Sequence, residues 1–481
     1  MSAGIKKFIS DQDIAKLDEL CQRYAVQGPR YTSYPTAIEF HAGVDAERWR
    51  AAVIRDLKSA PATDVGRLPL SLYVHLPFCK SLCYFCACNK IISQDESVVE
   101  PYLQLLFREM ELYRELLDEV GRDFEVEQLH WGGGTPNYLS PEQMVRLQLH
   151  TRKLFPTFGA DADISAELDP RHCTQEHLDV LRDTGFNRVS FGVQDFAEEV
   201  QQSINRIQPY EMTSRLVEWV RERNFSSVNI DLIYGLPAQT LEGFVETVKQ
   251  ILSIRPDRIA LYGYAHVTWT VKVQKALERK HLPTPPERIQ IFLRALSLFN
   301  EAGYRYIGMD HLALPEDSLS TALDTGRLNR NFMGYSSHRG TSILGFGVSS
   351  ISSTDGAFAQ NTKSMELYRE HVTKGIVPVE RGYERSDEDR LRGEVIETIM
   401  CQGDLDVRAF AARWQIDFWE HFGAVWAGLE GFAADGLIEL SPQRVRLTTL
   451  GKLFARNIAM LFDAYLEMHR ERQKPVFSQA V

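Results

Sequence analysis

From residue 70 to about 315, short apolar runs alternate with helical patterns, and no other feature limits the fold so tightly. The runs fall at 70–78, 126–131, 163–168, 188–193, 227–234 and 257–265. Between the first two, Pro101 suits a first helical turn. Beyond it Leu103, Leu106, Phe107, Met110, Tyr113 and Leu117 recur at three-to-four spacing. Repeated strand–helix units imply parallel strands joined by right-handed crossovers. Six such units predict an α/β fold built on an incomplete barrel, with its site at the carboxyl ends of the strands.

The residues that end those strands support that placement. The second run ends in Gly132-Gly133-Gly134-Thr135-Pro136, where missing side chains leave backbone donors open to a ligand. The third ends in Glu167-Leu168-Asp169-Pro170 and the fourth in Gln194-Asp195. Asp231 and Gly235-Leu236-Pro237 close the fifth, and Tyr264-Ala265-His266 the sixth. Any one of these is commonly a helix cap or a turn. Recurring at the same end of successive strands, they mark a ligand-lined mouth.

The first run delivers Cys79, Cys83, Cys86 and Cys88, four of the chain's seven cysteines. The first three are spaced C-x3-C-x2-C. Three thiolates hold three irons of a cubane cluster and leave the fourth open to chemistry, because each iron normally takes one Cys. Zinc is the alternative, since soft thiolates suit both metals. Zinc modules, however, usually pair C-x2-4-C units across a longer loop. A third reading is an Fe–S electron carrier with Cys88 as fourth ligand. Alternate residues of an extended chain lie about 6.5 Å apart on one face, so geometry does not forbid it.

The spacing resembles that of the radical S-adenosylmethionine (SAM) superfamily. The longer stretch from Tyr73-Val74-His75-Leu76-Pro77-Phe78-Cys79 to Cys88-Asn89-Lys90 resembles the oxygen-independent coproporphyrinogen III oxidases in particular. So does the Pro29-Arg30-Tyr31-Thr32-Ser33-Tyr34-Pro35 strap. The resemblance implies a partial (β/α)6 radical SAM barrel and a 4Fe–4S cluster on Cys79, Cys83 and Cys86. SAM would chelate the open iron and be cleaved by one electron to methionine and a 5′-deoxyadenosyl radical. By the same resemblance Tyr73, Gly133, Glu167 and Ile351 contact that SAM. Phe85, Gly134, Thr135, Gln194, Arg206, Asp231 and Ala265 contact a second SAM, a molecule that rests on resemblance alone. The implied reaction turns the ring A and B propionates of coproporphyrinogen III into vinyl groups, giving protoporphyrinogen IX. Cys88, Arg30 and His311 are candidates for a part in it. Arg30 and Lys90 suit substrate carboxylates. The implied partner is a low-potential electron donor such as flavodoxin or ferredoxin.

Haem chaperones of the same superfamily are the nearest rival. They typically carry His-Asn-x-x-Tyr-Trp late in the barrel, where this chain has Arg330-Asn331-Phe332-Met333-Gly334-Tyr335-Ser336. The Cys88-Asn89-Lys90 extension and the strap also favour the oxidases. One departure is Thr268, where relatives often carry proline.

The expected division is an N-terminal extension over 1–65, the barrel over 66–380 and a helical, winged-helix-like domain over 381–481. In the last, a hairpin at 436–440 and 444–448 precedes an apolar helix at 450–466. The stretch 304–311 reads as a further strand, and 342–348 contains a G-x-G too short to mark a nucleotide site. A net charge of −11 argues against nucleic acid or anionic membrane as partner. No run approaches the roughly eighteen apolar residues of a membrane span. Clustered thiols without an apolar leader segment point to a cytoplasmic protein, expected to be a monomer. Cys21, Cys173 and Cys401 stand alone and read as packing residues.

Overall fold

The computed structural model describes residues 11–470 and residue 477. The six anticipated runs are strands: β1 Leu68–Leu76, β2 Phe124–Gly133, β3 Phe158–Leu168, β4 Arg188–Gln194, β5 Ser227–Tyr234 and β6 Arg258–Gly263. They pair in that order, each parallel to the next. Helices α1 Val99–Val120, α2 Pro141–Leu154, α3 Gln175–Asp183, α4 Tyr210–Glu222 and α5 Leu241–Ile254 form the crossovers. Seven of the nine residues of β1 are buried, as a parallel strand covered on both faces requires. Local chemistry fixes the helix ends. Gly121 closes α1 in the left-handed conformation, and Ser140 with Gln143 forms a capping box on α2.

The sheet is wider than six strands. A sixth helix, α6 Pro285–Glu301, leads to β7 Arg305–Gly308 and β8 His311–Ala313. The stretch 304–311 is therefore not one strand. Asp310, at φ 66°, turns the chain, and β8 runs back antiparallel against both β7 and β6. On the other side β9 Ser342–Phe346 lies parallel to β1, followed by antiparallel β10 Ile351–Ser353, β11 Ala357–Asn361 and β12 Val379–Glu384. The twelve-stranded sheet begins at β12 and ends at β7, with β1–β6 at its centre.

Beyond the barrel, helix Asp387–Cys401 leads into a small antiparallel sheet of Asp404–Asp406, Ile438–Ser441 and Arg444–Leu447. The expected hairpin is there, with a third strand beside it. The expected continuous helix over 450–466 is not. Short helical turns fill 451–462, and Asp463 is extended before a last helix at Leu466–Arg470. The N-terminal strap is laced into this interrupted segment. Arg456 donates to the carbonyls of Gly28 and Pro29, and Asn457 to that of Tyr24. Tyr31 donates to Asp463, and Tyr34 accepts from the Ala464 amide. Side chains that bind another segment's backbone have overridden the helical period here.

Behind the sheet, Glu109 of α1 is fully buried and accepts from Tyr368 Oη at 2.5 Å, Asn361 Nδ2 at 2.6 Å and the Gly347 amide at 2.7 Å. Tyr102 donates to the His75 carbonyl at 2.7 Å and accepts from the Val348 amide. This network clamps the G-x-G turn after β9 against the end of β1. Burial raises the Glu109 pKa to about 7. A raised folded-state value gives stability that is full below the ordinary carboxylate range and lost as the pH rises through 7. Tyr368→Phe removes a donor to the carboxylate, so it should cost roughly 1–3 kcal/mol. The cost should be larger at pH 8 than at pH 5 in chemical denaturation; a pH-independent loss would contradict this role for Glu109.

Candidate active site

The end of β1 is where the site is built. The Gly134 amide donates to the Leu76 carbonyl at 2.8 Å, pinning the glycine turn after β2 to the approach of the cysteine loop. A Cβ on Gly134 would stand 2.5 Å from the Pro77 carbonyl carbon. At Gly133, whose φ is 110°, it would stand 2.6 Å from the His75 ring. Neither position admits a side chain without moving the loop.

The same loop is held from its far end. His75 Nε2 pairs with the Asn89 carbonyl at 3.0 Å, and Nδ1 with Tyr73 Oη at 3.1 Å. These partners fix the ring as Nε2–H donor and Nδ1 acceptor, and burial keeps its pKa low. Tyr73 stacks on His130 at 6.0 Å. Gln274, 1% exposed, donates to the carbonyls of Phe85 and Ala265, tying the loop after β6 to the cysteine loop. Thr268 lies in that tied loop.

The four thiols have different surroundings. Cys79 Sγ lies 3.4 Å from Thr135 Oγ1. Cys83 is buried, with Arg206 Nη1 at 3.5 Å and Arg171 Nη2 at 3.6 Å. Both guanidiniums also bind Asp169. Burial pushes the Asp169 carboxyl up, but the Arg206 and Arg171 charges outweigh it and hold it at about 2. Cys86 pairs with Cys88, which together with Lys90 draws the Cys86 thiol below its usual range. Burial raises the Cys79 thiol to about 11. Among the described residues no three His, Cys, Asp or Glu side chains close on a point the size of one ion. A cubane cluster asks for something wider, one thiolate per iron at separate corners. Arg171 and Arg206 supply the cationic side that an anionic thiolate-bound cluster needs. The residues fit a cluster.

Polar side chains of β2–β6 face a cavity of about 120 Å³ inside the barrel, where Glu167, His130, Asp231 and Asn229 meet. The Glu167 side chain is 48% exposed, and what it faces is this cavity. Burial pushes its carboxyl up, but the His130 hydrogen bond at 3.1 Å and the His130 charge hold it below the usual range. Burial and then the Glu167 charge raise Asp231 to about 7. The two carboxylates thus divide, one ionised and one titrating near neutrality.

Several sequence candidates converge here and others stand apart. Tyr73, Gly133, Gly134, Thr135, Glu167, Asp231 and Arg206 surround the cysteine loop or the cavity beside it. Gln194, at φ 70°, turns its Oε1 into a buried position with no partner among the described residues. Phe85 packs with Ile204, Leu236 and Tyr264 on the far side of the loop, and Ala265 is joined to it through Gln274. Ile351 heads β10, its carbonyl against Gly345 beside Tyr73. Arg30 pairs with Asp310 and lies over the Tyr262 ring. His311 packs on Tyr262 and Tyr335; burial first, then the Arg330 charge, lowers it to about 4, leaving it neutral.

Arg171, His130 and Gln274 were not singled out from the sequence. His130 was within reach, since it alternates with Gln128 on the inward face of β2. Arg171 and Gln274 lie on loops whose approach only the tertiary fold decides.

A bunched three-thiolate loop at the carboxyl end of the first strand, in an open parallel barrel lined by carboxylates, defines the radical SAM class. The Radical SAM superfamily model matches residues 73–251, and the HemN C-terminal domain model matches residues 386–454. An oxygen-independent coproporphyrinogen III oxidase of Pseudomonas aeruginosa is 42% identical over 94% of this chain and 97% of its own length. That of Escherichia coli is 40% identical over 98% and 99%. The solved structure of the E. coli coproporphyrinogen III oxidase HemN, a radical SAM enzyme, superposes with a TM-score of 0.85 at 40% identity, covering 91% of this chain and 97% of that one. The chain belongs to the oxygen-independent coproporphyrinogen III oxidases.

Gly134→Ala should therefore lower the iron loaded on anaerobic reconstitution far more than it lowers the thermal midpoint. Iron analysis beside a melting curve checks this; full iron loading would show that the close approach does not position the ligands.

Proposed function

We infer that this protein carries out the oxygen-independent oxidative decarboxylation of coproporphyrinogen III to protoporphyrinogen IX, on the path to haem. The observation that supports the reading is the close approach of the cysteine loop to the glycine turn, with Cys79 Sγ 3.4 Å from Thr135 Oγ1, in a chain of this family. Cys79, Cys83 and Cys86 would hold the 4Fe–4S cluster. Bound there, the cluster and SAM would supply the one-electron radical chemistry that removes a hydrogen atom from the propionate β-carbon. Arg171 and Arg206 place two guanidiniums against the Cys83 sulfur. Tyr73 and the Gly133 backbone border the space for SAM, and the ionised Glu167 suits an ammonium or ribose hydroxyls. Hydrogen removal would be followed by loss of CO2 and passage of one electron to an external acceptor, leaving the vinyl group, so the chain need supply no strong base. Asp231, Gln194, Thr135 and Phe85 are proposed for a second SAM.

The same reading assigns 1–65 to an extension serving the site, 66–380 to the barrel and 381–481 to a domain that packs over it. It also makes the protein a cytoplasmic monomer fed by a flavodoxin or ferredoxin. No helix of the described residues is long and apolar enough to cross a membrane.

Cluster-loaded protein with SAM, a strong reductant and coproporphyrinogen III should, anaerobically, give a product whose mass shows loss of two CO2 units. Ser at Cys79, Cys83 or Cys86 should abolish iron binding, because a hydroxyl is a harder and poorer ligand. Cys88→Ser should keep the iron and the SAM-induced spectral change while losing most turnover. Loss of the cluster in Cys88→Ser would instead favour a four-thiolate electron carrier.

A further inference from the structure

Three neighbouring strands meet at one histidine. In the parallel register Tyr73 of β1 stands beside His130 of β2, and His130 beside Ser165 of β3. Glu167 follows Ser165 by two residues, so strand alternation puts both on one face. His130, Ser165 and Glu167 all line the barrel cavity. The His130 ring is engaged at both nitrogens and on a face. Nδ1 lies 2.7 Å from Ser165 Oγ and Nε2 3.1 Å from Glu167 Oε1, while the ring stacks on Tyr73 with the planes 15° apart. An ionised carboxylate can only accept, so Nε2 carries the hydrogen and donates to Glu167. In that tautomer Nδ1 accepts from the Ser165 hydroxyl, which orients the ring from its other end.

Gly132 leaves room for the pair. A Cβ there would stand 3.0 Å from Glu167 Oε2 and 3.2 Å from His130 Nε2, tighter than ordinary van der Waals contact. The glycine run is thus used at every position: Gly133 and Gly134 admit the cysteine loop, and Gly132 admits the histidine–carboxylate pair. Packing alone does not fix the Glu167 side chain, because about half of it is open to the cavity. A glutamate carries several rotatable bonds and loses much rotamer freedom when it is ordered. The charge-assisted bond from His130 orders it beforehand, so less freedom is lost when a ligand arrives.

We propose that His130 is a positioning residue for SAM, holding Tyr73 by its ring face and Glu167 by its Nε2–H so that the two form one prearranged wall. Ser165 and Gly132 set the place of the ring itself. The proposal rests on the SAM reading above and deepens it, naming what holds the two side chains assigned to the SAM on the cluster. His130 acts through Tyr73 and Glu167 and needs no contact with SAM.

The test follows the SAM-induced spectral change of cluster-loaded protein as SAM is titrated. His130→Phe keeps an aromatic ring against Tyr73 and removes the donor. It should raise the SAM concentration for half-change about tenfold, the order of one charge-assisted hydrogen bond. Iron content should stay at the wild-type level. His130→Gln, which can still donate to Glu167, should recover part of the loss. Ser165→Ala should weaken SAM by a smaller factor. A double-mutant cycle separates positioning from general packing: added to Glu167→Gln, His130→Phe should have little further effect. A wild-type protein whose spectrum does not respond to SAM would overturn the SAM reading itself. A normal wild-type response, with SAM affinity unchanged in His130→Phe or with its full effect retained on top of Glu167→Gln, would overturn this proposal alone. If His130→Phe takes up no cluster, wild-type SAM affinity in Ser165→Ala would overturn it.

Discussion

The hydrogen bond from the Gly134 amide to the Leu76 carbonyl, 2.8 Å long, is the contact on which the rest of the site depends. It joins the ends of two neighbouring parallel strands at the point where one becomes the cysteine loop. The approach leaves no room for a Cβ at Gly133 or Gly134. His75 then spans from Tyr73 to Asn89 and fixes the loop's return. Thr135, next in the chain, meets Cys79. Backbone closeness at one place thus sets where the thiols, the histidine and the inward carboxylates stand relative to one another.

Charge is arranged in zones around that contact. Arg171 and Arg206 face Cys83 and share Asp169, giving the cysteine loop a cationic flank. Glu167 and Asp231 give the barrel interior an acidic one, and burial, then the Glu167 charge, keeps Asp231 protonated to higher pH. A low-dielectric interior makes each of these preferences stronger than it would be in water.

Much of this was legible in the sequence because the signals were periodic or chemically sharp. The six parallel strands followed from apolar runs alternating with three-to-four helical spacing, and the turns at their carboxyl ends located the site. The C-x3-C-x2-C spacing pointed to an iron–sulfur cluster, which membership of the radical SAM superfamily implies. What failed were places where tertiary contacts outvote local pattern. The apolar stretch 450–466 has a helical period, but Arg456, Asn457 and Asp463 bind the strap and break it. The stretch 304–311 alternates like one strand, yet Asp310 takes a positive φ and folds it into two. Arg171 and Gln274 carry no spacing signal at all. Their meaning comes from loops distant in sequence that the barrel brings together.

The central claim is that three thiolates leave one iron of the cluster open to SAM. Mössbauer spectroscopy of anaerobically reconstituted protein, recorded with and without SAM, tests it most directly. The account predicts that a single iron site of the cluster separates from the other three and changes its isomer shift when SAM is added. Four equivalent irons, unchanged by SAM, would contradict it and make the loop a closed electron-carrier site.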